Sequence, residues 1–461
     1  MENSAIDNIR EKADIVSVIS DYVHLKKRGR NYIALCPFHS EKTASFTVSQ
    51  EKQMFYCFGC KEGGNVFSFL MKIENISFIE SVKLLADKLN IPFELPDKTK
   101  SKRGQENEIL YEIMGRAVDF YEKQLPLSKT AIDYVKKRGL DKNTIKEFRI
   151  GYSPENRDSL YKYLVSSGFL PKDIEKAGLI IPIEGTSSYY DRFRNRLMFP
   201  IFDHRGKPIA FGARSLDGSE PKYLNSPETP IYNKSQVLYG LNLSKNYIKE
   251  KDCVLITEGY MDTITTFSAG FQNVVASSGT ALTQDQIKLL KRFSNNIILV
   301  FDNDAAGSLA SEHSIELIKG FGIYPKIVTF TGGKDPDEVI KKQGAEKFSN
   351  SIKSAIPWMR FKLALILKRN NISEIEGKAK ALKEAALVLS KESDTTIRTE
   401  YAKLLAKYLS LDPENVFSEI NRNISYNKNK KSFEQSIIDK PASKTEKAER
   451  TLIRFAIDDP A

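Results

Sequence analysis

The regular alternation of short apolar strands with helices between residues 254 and 337 constrains the fold of this chain more than any other feature. Four apolar segments each end at a polar turn, and they cover residues 254–257, 273–276, 296–301 and 326–330. Three helical patterns separate them, over residues 260–269, 283–293 and 305–319. Strands that alternate with helices of this length predict a parallel sheet with helices on its faces.

Acidic residues follow three of the four predicted strands. They are Glu258 and Asp262 after the first strand, Asp302 and Asp304 after the third, and Asp335 and Asp337 after the fourth. The carboxyl ends of parallel strands meet at one edge of a sheet, which is where ligands bind. Six carboxylates at one edge would repel one another unless cations lay among them, and hard oxygen ligands suit Mg²⁺. The sequence therefore predicts at least two Mg²⁺ ions, with Mn²⁺ as an alternative, and metal-assisted phosphoryl chemistry.

Each acid also has a structural interpretation that needs no metal. Asp335 precedes a proline and would be a good N-cap of the following helix. Asp302 or Asp304 could likewise cap the helix after the third strand, and the helix dipole favours Asp337 on a first helical turn. Glu258 is harder to explain in this way, because glutamate is a poor cap. Taken as a set, the acids favour a metal site.

Three of the four cysteines lie close to a histidine in the N-terminal segment. Cys36 and His39 form one pair, Cys57 and Cys60 form another, and two residues separate the members of each pair. Three thiolates and one imidazole make a closed set that suits one structural Zn²⁺, with no open position for catalysis. Because the flanking segments have strand composition, the pattern predicts a zinc ribbon. The alternative is three buried free cysteines beside an unrelated histidine.

The charge balance favours a polyanionic partner. The chain has 70 Lys and Arg residues against 59 Asp and Glu residues, a net charge of +11, although a lysine-rich surface can also serve solubility alone. Four cysteines in 461 residues do not make a disulfide framework. No apolar run approaches the length of a membrane span and no signal-peptide pattern is visible, so we expect a cytoplasmic protein without membrane contact.

A segment near the middle of the chain is rich in arginine. Arg192, Arg194 and Arg196 alternate along a predicted strand and would therefore share one face. Together with Lys222 and Lys234, three guanidiniums on one face would bind the phosphates of a nucleic-acid backbone or of a nucleotide. The alternative is a solvated charged face.

Three sets of motifs resemble those of known families. Residues 258–262, 302–307 and 335–338 resemble the motifs of a Toprim domain, the metal-binding fold shared by bacterial primases, some topoisomerases and some nucleases. Residues 36–46 and 55–67 resemble the zinc domain of DnaG-type bacterial primases, and residues 139–152, 191–200, 209–214 and 221–229 resemble their polymerase domain. Asn303 and Ala44 depart from the family pattern, which more often has Gly and Pro at these positions.

The resemblance implies a DNA-templated RNA polymerase that makes short RNA primers for replication. Glu258, Asp302 and Asp304 are then the catalytic residues, and Glu258 either binds a metal or takes the proton of the primer 3′-hydroxyl. The residues that would contact nucleotide or nucleic acid are the three arginines, Lys222, Asn225 and Lys234. The implied partners are single-stranded DNA, ribonucleoside triphosphates, the RNA primer and a replicative helicase, and we expect a monomer.

The predicted fold class is multidomain α/β, with an N-terminal zinc ribbon, a central polymerase domain that contains the Toprim parallel sheet, and a helical bundle after it. The predicted domains are the template-binding zinc ribbon at residues 1–95, the N-terminal part of the polymerase domain at 109–250, the Toprim subdomain at 251–345 and the bundle at 346–420. The predicted linkers are residues 96–108 and 421–447. Residues 448–461 would begin a truncated helicase-binding domain, so we expect the helicase site to be largely missing.

Other functions stay open at this point. A topoisomerase or nuclease could share the Toprim acids, but a topoisomerase would need a tyrosine nucleophile on a strand-passage domain. A fused primase-helicase would need a G-x-x-x-x-G-K-[ST] loop, and the sequence contains none. A non-catalytic protein could bind single-stranded DNA with the zinc ribbon and the basic face alone. Metal-dependent polymerisation would distinguish an enzyme from it.

Overall fold

The computed structural model describes residues 2–39, 41, 43–74, 76, 78–93, 102–277, 281–302, 309–330 and 332–438. The chain divides into two compact units, Met1–Pro357 and Trp358–Ala461. The first unit contains three sheet-based parts and the second is helical. The predicted multidomain α/β class is confirmed, with an antiparallel sheet that carries the predicted zinc ligands, a central sheet, a mostly parallel sheet and helices after it.

The N-terminal part is built on an antiparallel sheet. Its strands are β1 (Lys26–Arg28), β2 (Asn31–Ala34), β3 (Phe46–Ser49), β4 (Met54–Cys57) and β5 (Gly63–Gly64), hydrogen-bonded in that order. Its helices are α1 (Glu2–Lys12), α2 (Ile15–Ser20), α3 (Val66–Glu74) and α4 (Phe78–Lys88). Because strand side chains alternate between faces, Phe46 and Phe55 stack in the core with ring centroids 5.3 Å apart, whereas Tyr56 is exposed.

The central part is a second antiparallel sheet covered by helices. Its helices are α5 (Lys102–Gln124), α6 (Lys129–Lys137), α7 (Lys142–Glu147), α8 (Ser159–Ser166), α9 (Pro171–Lys176) and α10 (Leu241–Lys251). Its strands are β6 (Gly151–Ser153), β7 (Ile180–Pro182), β8 (Tyr189–Asp191), β9 (Arg196–Phe202), β10 (Pro208–Ser215) and β11 (Tyr223–Asn225). The sheet order is β11-β10-β9-β6, and β7 pairs with β8. Met198 packs in one core with α5, and Leu197 and Phe199 pack in a second core with the Toprim part.

The Toprim part is the predicted parallel sheet with one added strand. Its strands are β12 (Val254–Thr257), β13 (Val274–Ala276), β14 (Ile297–Leu299), β15 (Lys326–Ile327) and β16 (Ile356–Pro357), in the order β13-β12-β14-β15-β16. The first four are parallel, and β16 runs antiparallel at the edge. Its helices are α11 (Tyr260–Ser268), α12 (Gln284–Lys291), α13 (Leu309–Gly320) and α14 (Pro336–Lys353).

The second unit is the predicted helical bundle. Its helices are α15 (Trp358–Arg369), α16 (Ile375–Ser390), α17 (Thr395–Leu409) and α18 (Pro413–Ile438). Small side chains let these helices approach closely, and Ala381, Ala385, Ala402 and Ala406 are all buried in one core. In the described part of the chain, no helix is long and apolar enough to cross a membrane.

Both predicted linkers contain helix at one end. Residues 421–438, in the second predicted linker, continue α18 as helix. Helix α5 begins at Lys102, inside the tether predicted at residues 96–108. The bounds of the linkers stay predictions, because a helical segment can also connect two domains.

A buried ionic cluster joins the N-terminal part to the β9–β10 hairpin. Glu74 ends α3, and its side chain is only 6% exposed. His204 Nε2 lies 3.1 Å from Glu74 Oε1, and an Arg205 guanidinium nitrogen lies 3.8 Å from Glu74 Oε2. Burial opposes ionisation of Glu74, but the hydrogen bond with His204 and the neighbouring positive charges outweigh it and lower the pKa of Glu74 to about 2. The ionised carboxylate therefore holds two parts of the first unit together.

Replacing Glu74 by Gln should destabilise the first unit, because Arg205 would lose one of its two carboxylate partners. Breaking a buried ion pair costs on the order of 3–5 kcal/mol, and Gln keeps part of the hydrogen bonding, so we expect a loss of about 2 kcal/mol in the free energy of urea unfolding at pH 7. Glu62→Gln is the matched control. Glu62 pairs with Lys72 at the surface, and its loss should cost less than about 1 kcal/mol.

The effect of Glu74→Gln should fade at low pH. The folded-state pKa of Glu74 lies below its ordinary value of 4.5, so the ionised side chain stabilises the fold at neutral pH. That contribution is lost as the pH falls through 4.5 towards about 2. An equal stability difference between wild type and variant at pH 7 and pH 3 would contradict this account.

Candidate active site and zinc centre

The four predicted zinc ligands converge in the N-terminal part. Cys36 Sγ lies 3.8 Å from Cys60 Sγ, and Cys57 Sγ lies 3.8 Å from His39 Nδ1. All four ligand atoms lie within 4.8 Å of one another. Tetrahedral zinc with Zn–S bonds of about 2.3 Å separates two sulfurs by about 3.8 Å. The donor set and its spacing therefore fit one structural Zn²⁺, as predicted.

Neighbouring residues orient the histidine ligand. Glu41 Oε2 lies 3.2 Å from His39 Nε2, which leaves Nδ1 towards the thiols. Glu41 also accepts hydrogen bonds from the backbone N–H groups of Cys36 at 2.7 Å and Ser45 at 3.1 Å. A Cβ atom on Gly59 would lie 2.5 Å from His39 Nε2, so the second cysteine turn has no room for a side chain. Such outer contacts fix the tautomer and ring orientation of a metal-binding histidine.

The Toprim strands bring the first and third acidic segments together. Strand β12 pairs in parallel with β14, so Glu258 and Asp302 emerge at the same sheet edge. The backbone N–H of Asp302 lies 3.3 Å from Glu258 Oε1 and donates to it. Asp262 lies on the first turn of α11 beside them.

The acids impose a strong mutual repulsion. Burial together with four neighbouring carboxylates raises the pKa of Asp262 to about 8. Those neighbours are Asp302, Asp335, Asp337 and Glu258. A divalent cation would stabilise the ionised form of such a cluster, so the donor set fits a hard metal ion. Five of the six predicted acids are thus close together, and Asp304 lies outside the described residues.

Two of the acids also have partners in the protein. Asp335 caps α14, as the alternative interpretation predicted. Asp337 is 6% exposed, and its carboxylate accepts hydrogen bonds from an Arg138 guanidinium nitrogen at 2.9 Å and from Thr265 Oγ1 at 2.6 Å. Lys341 Nζ lies 2.6 Å from the same carboxylate. Asp337 is therefore neutralised by two cations of the chain itself.

Acidic and basic residues line one cavity of about 900 Å³. Its acids include Glu258, Asp262, Asp302, Asp335 and Asp337. Its basic residues are Lys137, Arg138, Arg214, Lys222, Lys334, Lys341 and Lys342. Its other polar lining residues include Tyr134, Tyr223, Asn225 and Tyr260. A cavity with both signs of charge can hold cations and an anionic ligand together, as a metal-bound triphosphate requires.

Tyr260 connects the Toprim part to the central sheet at this cavity. Its ring stacks on Phe199 with centroids 5.2 Å apart, and its hydroxyl donates to Asn225 Oδ1 at 2.7 Å. A Cβ atom on Gly212 would lie 2.3 Å from the Tyr260 ring, so this strand position has no room for a side chain. The contact places Asn225, as well as Lys222, in the lining of the cavity. Lys234 does not line it.

The prediction that three arginines share a face of one strand is wrong. Strand β8 ends at Asp191 and β9 begins at Arg196, and Asn195 between them has a left-handed φ of 50°. Arg196 is buried and donates to the Pro221 carbonyl at 2.8 Å. The Arg196 guanidinium is therefore held by the protein itself, and a contact with nucleic acid stays a prediction for this residue too.

The other two arginines remain on the surface side of this bend. Arg194 is exposed, and its guanidinium carbon lies 5.0 Å from the Tyr190 ring centroid. Arg192 is half-buried, and burial lowers its pKa. Nucleic-acid contact by these two residues stays a prediction.

Several residues that line the cavity were not among the predicted site residues. Arg138 and Arg214 line the cavity, as do Tyr134 and Tyr223. The available signal for Arg138 was a run of three basic residues at 136–138 that ends at a glycine. Periodicity could not show that this run meets Asp337, which is 199 residues away in the sequence.

Four family models match successive parts of the chain. They are the CHC2 zinc finger over residues 1–102, the DNA primase catalytic core, N-terminal domain over 120–245, a Toprim-like domain over 255–340 and the DnaB-helicase binding domain of primase over 359–414. A DNA primase of Clostridium acetobutylicum is 38% identical over 98% of this chain and 76% of that protein. The chain belongs to the DNA primase family. A second relative, the DNA primase of Staphylococcus epidermidis, is 36% identical over 100% of this primase and 79% of that protein.

Solved primase structures agree with this assignment. The zinc-binding and RNA polymerase domains of the Aquifex aeolicus primase are 35% identical, with a TM-score of 0.58 over 89% of this primase and 98% of that chain. A DnaG primase catalytic domain bound to single-stranded DNA is 34% identical, with a TM-score of 0.58 over 68% of this primase and 99% of that chain. The predicted activity, RNA primer synthesis by a DNA-directed RNA polymerase, is confirmed.

The prediction that the helicase site is largely missing is wrong. The DnaB-helicase binding domain matches residues 359–414, which span α15 to α17 and the start of α18. This match lies inside the bundle predicted at residues 346–420, whereas the predicted start of the helicase-binding domain, residues 448–461, lies outside the described residues. Helical periodicity predicts that a bundle forms, but it carries no information on what the outer surface binds.

The wild-type protein should contain close to one zinc ion per chain, because the four ligands form one closed site. Cys57→Ser should lose most of this zinc and lower the melting temperature, since folding of such sites is coupled to metal binding. Cys253→Ser, a change of the one cysteine outside the site, should retain it. Zinc is measured by atomic emission after gel filtration, and equal zinc in both variants would contradict the assignment.

Proposed function

We propose that this primase joins ribonucleotides in the cavity shared by the Toprim acids and the guanidiniums of Arg138 and Arg214. The observation that carries the proposal is the presence of both charge types in one cavity of about 900 Å³. The acids alone would attract cations, and the arginines alone would attract any anion. Together they match a nucleoside triphosphate with its metal ions.

The metal ligands that we propose are Glu258, Asp302 and Asp304, with Asp262 and Asp335 as further donors. Two or more Mg²⁺ ions bound there would neutralise the triphosphate and activate the primer 3′-hydroxyl. Asp337, which was predicted as a further ligand, has two basic partners and a threonine donor. We therefore assign it a supporting role, in which it holds Arg138 and Lys341 at the cavity.

Arg214 is the side chain that we assign to a substrate phosphate. It is half-buried, and among the described residues it forms no ion pair with a carboxylate. Its Nε atom is buried without a hydrogen-bond partner. A partly desolvated cation without a counter-charge is costly, and a phosphate oxygen would supply both the charge and the hydrogen bond. Arg138 and Lys222 line the same cavity and extend this phosphate site.

The zinc ribbon offers a stacking surface for template bases. Phe46 and Phe55, two aromatic residues of the ribbon, are buried in the core. Tyr56 and Phe58 are 40% and 62% exposed, and their ring centroids lie 5.1 Å apart. Exposed aromatic rings beside basic residues are typical of single-strand binding. We assign these two rings to the template, with Arg192 and Arg194 as further contacts.

The remaining assignments follow from the family. The relatives are bacterial DNA primases, and one solved relative binds single-stranded DNA. We therefore place this primase in the bacterial cytoplasm at replication forks, as a monomer that binds a replicative helicase through residues 359–414. Its proposed substrates are single-stranded DNA and the four ribonucleoside triphosphates.

De novo RNA synthesis on single-stranded DNA tests the proposed site. The wild type should make short RNA oligomers from four ribonucleotides with Mg²⁺. Glu258→Gln and Asp302→Asn should each lower the rate by at least about 10²-fold, the usual loss when an acid–base or charge-stabilising group is removed. Glu250→Gln is the matched control, since Glu250 is an exposed acid at the end of α10, and its rate should equal that of wild type.

Two results would contradict the site. One is full activity in Glu258→Gln or Asp302→Asn. The other is an equal loss in Glu250→Gln, which would show that any change of surface charge matters. Normal single-stranded DNA binding without RNA product in the wild type, even with helicase added, would favour a non-catalytic binding protein.

A further inference from the structure

Tyr134, which has no role in the mechanism described so far, contacts both arginines of the phosphate site. It lies near the end of α6, and its hydroxyl oxygen accepts a hydrogen bond from Arg138 Nε at 2.9 Å. The guanidinium carbon of Arg214 lies 5.1 Å from the centroid of the same ring. The Arg138 guanidinium carbon lies 5.4 Å from it. One aromatic side chain therefore contacts two cations from different parts of the fold.

Tyr223 contacts Arg214 from the neighbouring strand, β11. Strand β10 pairs with β11 so that Arg214 and Tyr223 are directly opposed. Arg214 donates a hydrogen bond to the Tyr223 hydroxyl at 2.6 Å, and its guanidinium carbon lies 5.2 Å from the ring centroid. The four side chains form a continuous row in the order Arg138, Tyr134, Arg214, Tyr223, and all four line the cavity.

This row resolves an electrostatic problem. Two guanidiniums beside one ring repel each other, and only one of them, Arg138, forms an ion pair with Asp337, which also pairs with Lys341. The negative faces of aromatic rings attract cations without removing their charge. Burial raises the pKa of Tyr134, so its hydroxyl stays neutral and can accept from Arg138. The row can therefore keep two positive charges close together and still available to an anion.

We propose that Tyr134 is a positioning residue that holds Arg138 and Arg214 for the triphosphate of the incoming ribonucleotide. The inference rests on the proposed phosphate site and adds to it the group that orients that site. Without the ring, each guanidinium would lose a partner and turn towards water. Binding of the triphosphate would weaken, whereas the acids that support the chemical step would be unaffected.

The test compares Tyr134→Leu with Tyr134→Phe in primer elongation. Leucine removes both the ring and the hydroxyl, and phenylalanine removes only the hydroxyl hydrogen bond to Arg138. Cation–π and hydrogen-bond losses of ordinary size predict that KM for ribonucleotide rises about tenfold in Tyr134→Leu and about threefold in Tyr134→Phe. In both variants kcat should stay within about twofold of wild type, which is the pattern expected when only substrate binding is weakened.

Inorganic tripolyphosphate gives a second readout, because it has the phosphates without base or ribose. Its inhibition constant against primer elongation should rise in each variant by the same factor as KM. Tyr163→Leu is the matched control. Tyr163 is half-buried and stacks on Phe120, and it does not line the cavity, so both constants should be unchanged. Melting temperatures of all variants report whether the fold is intact.

Arg214→Gln separates the inference from the site on which it rests. If Arg214→Gln raises both constants and Tyr134→Leu raises neither, the positioning role is wrong and the phosphate site stands. If neither variant changes the inhibition constant, the phosphate site itself is wrong. A fall in kcat without a change in KM would also overturn the positioning role. So would a lower melting temperature in both Tyr134→Phe and Tyr134→Leu together with an equal rise of KM in the two variants.

Discussion

Repulsion among the carboxylates at the edge of the Toprim sheet is the constraint on which the rest of the structure depends. Parallel pairing of β12 and β14 brings Glu258 and Asp302 together, and burial together with the surrounding charges raises the pKa of Asp262 to about 8. Such repulsion must be offset by positive charge. Arg138 and Lys341 offset part of it by forming ion pairs with Asp337. The remaining negative charge is available for metal ions.

The central part of the chain supplies both arginines and two of the five lysines that line the same cavity. Tyr260 connects the Toprim part to the central part, since it follows the first acid in the sequence and contacts the central sheet through Phe199 and Asn225. Absence of a side chain at Gly212 makes this contact sterically allowed. The acids and the two arginines of the cavity thus come from different parts of the fold. In the proposed site, the Toprim part would bind the metal ions and the central part would bind the substrate phosphates.

Local patterns predicted the fold, the zinc ligands and the grouping of the acids, but they did not predict long-range contacts. The four zinc ligands could be identified because each pair lies within a short turn, and the Toprim acids could be identified because strand order places them at one edge. The prediction that three arginines share one strand face was wrong because Asn195 takes a left-handed conformation and interrupts the strand. The row through Tyr134 depends on residues that are distant in sequence, so periodicity carries no signal for it.

The most direct test of the central claim is a count of Mn²⁺ ions bound to zinc-loaded protein, by electron paramagnetic resonance titration with a non-hydrolysable ribonucleoside triphosphate. The account predicts at least two Mn²⁺ ions per wild-type chain and the loss of at least one in Asp302→Asn. In Arg214→Gln, the nucleotide should increase Mn²⁺ binding less than it does in wild type, and Mn²⁺ should still bind to the acids. Equal Mn²⁺ binding in wild type and Asp302→Asn would contradict the claim that the Toprim edge is the metal site.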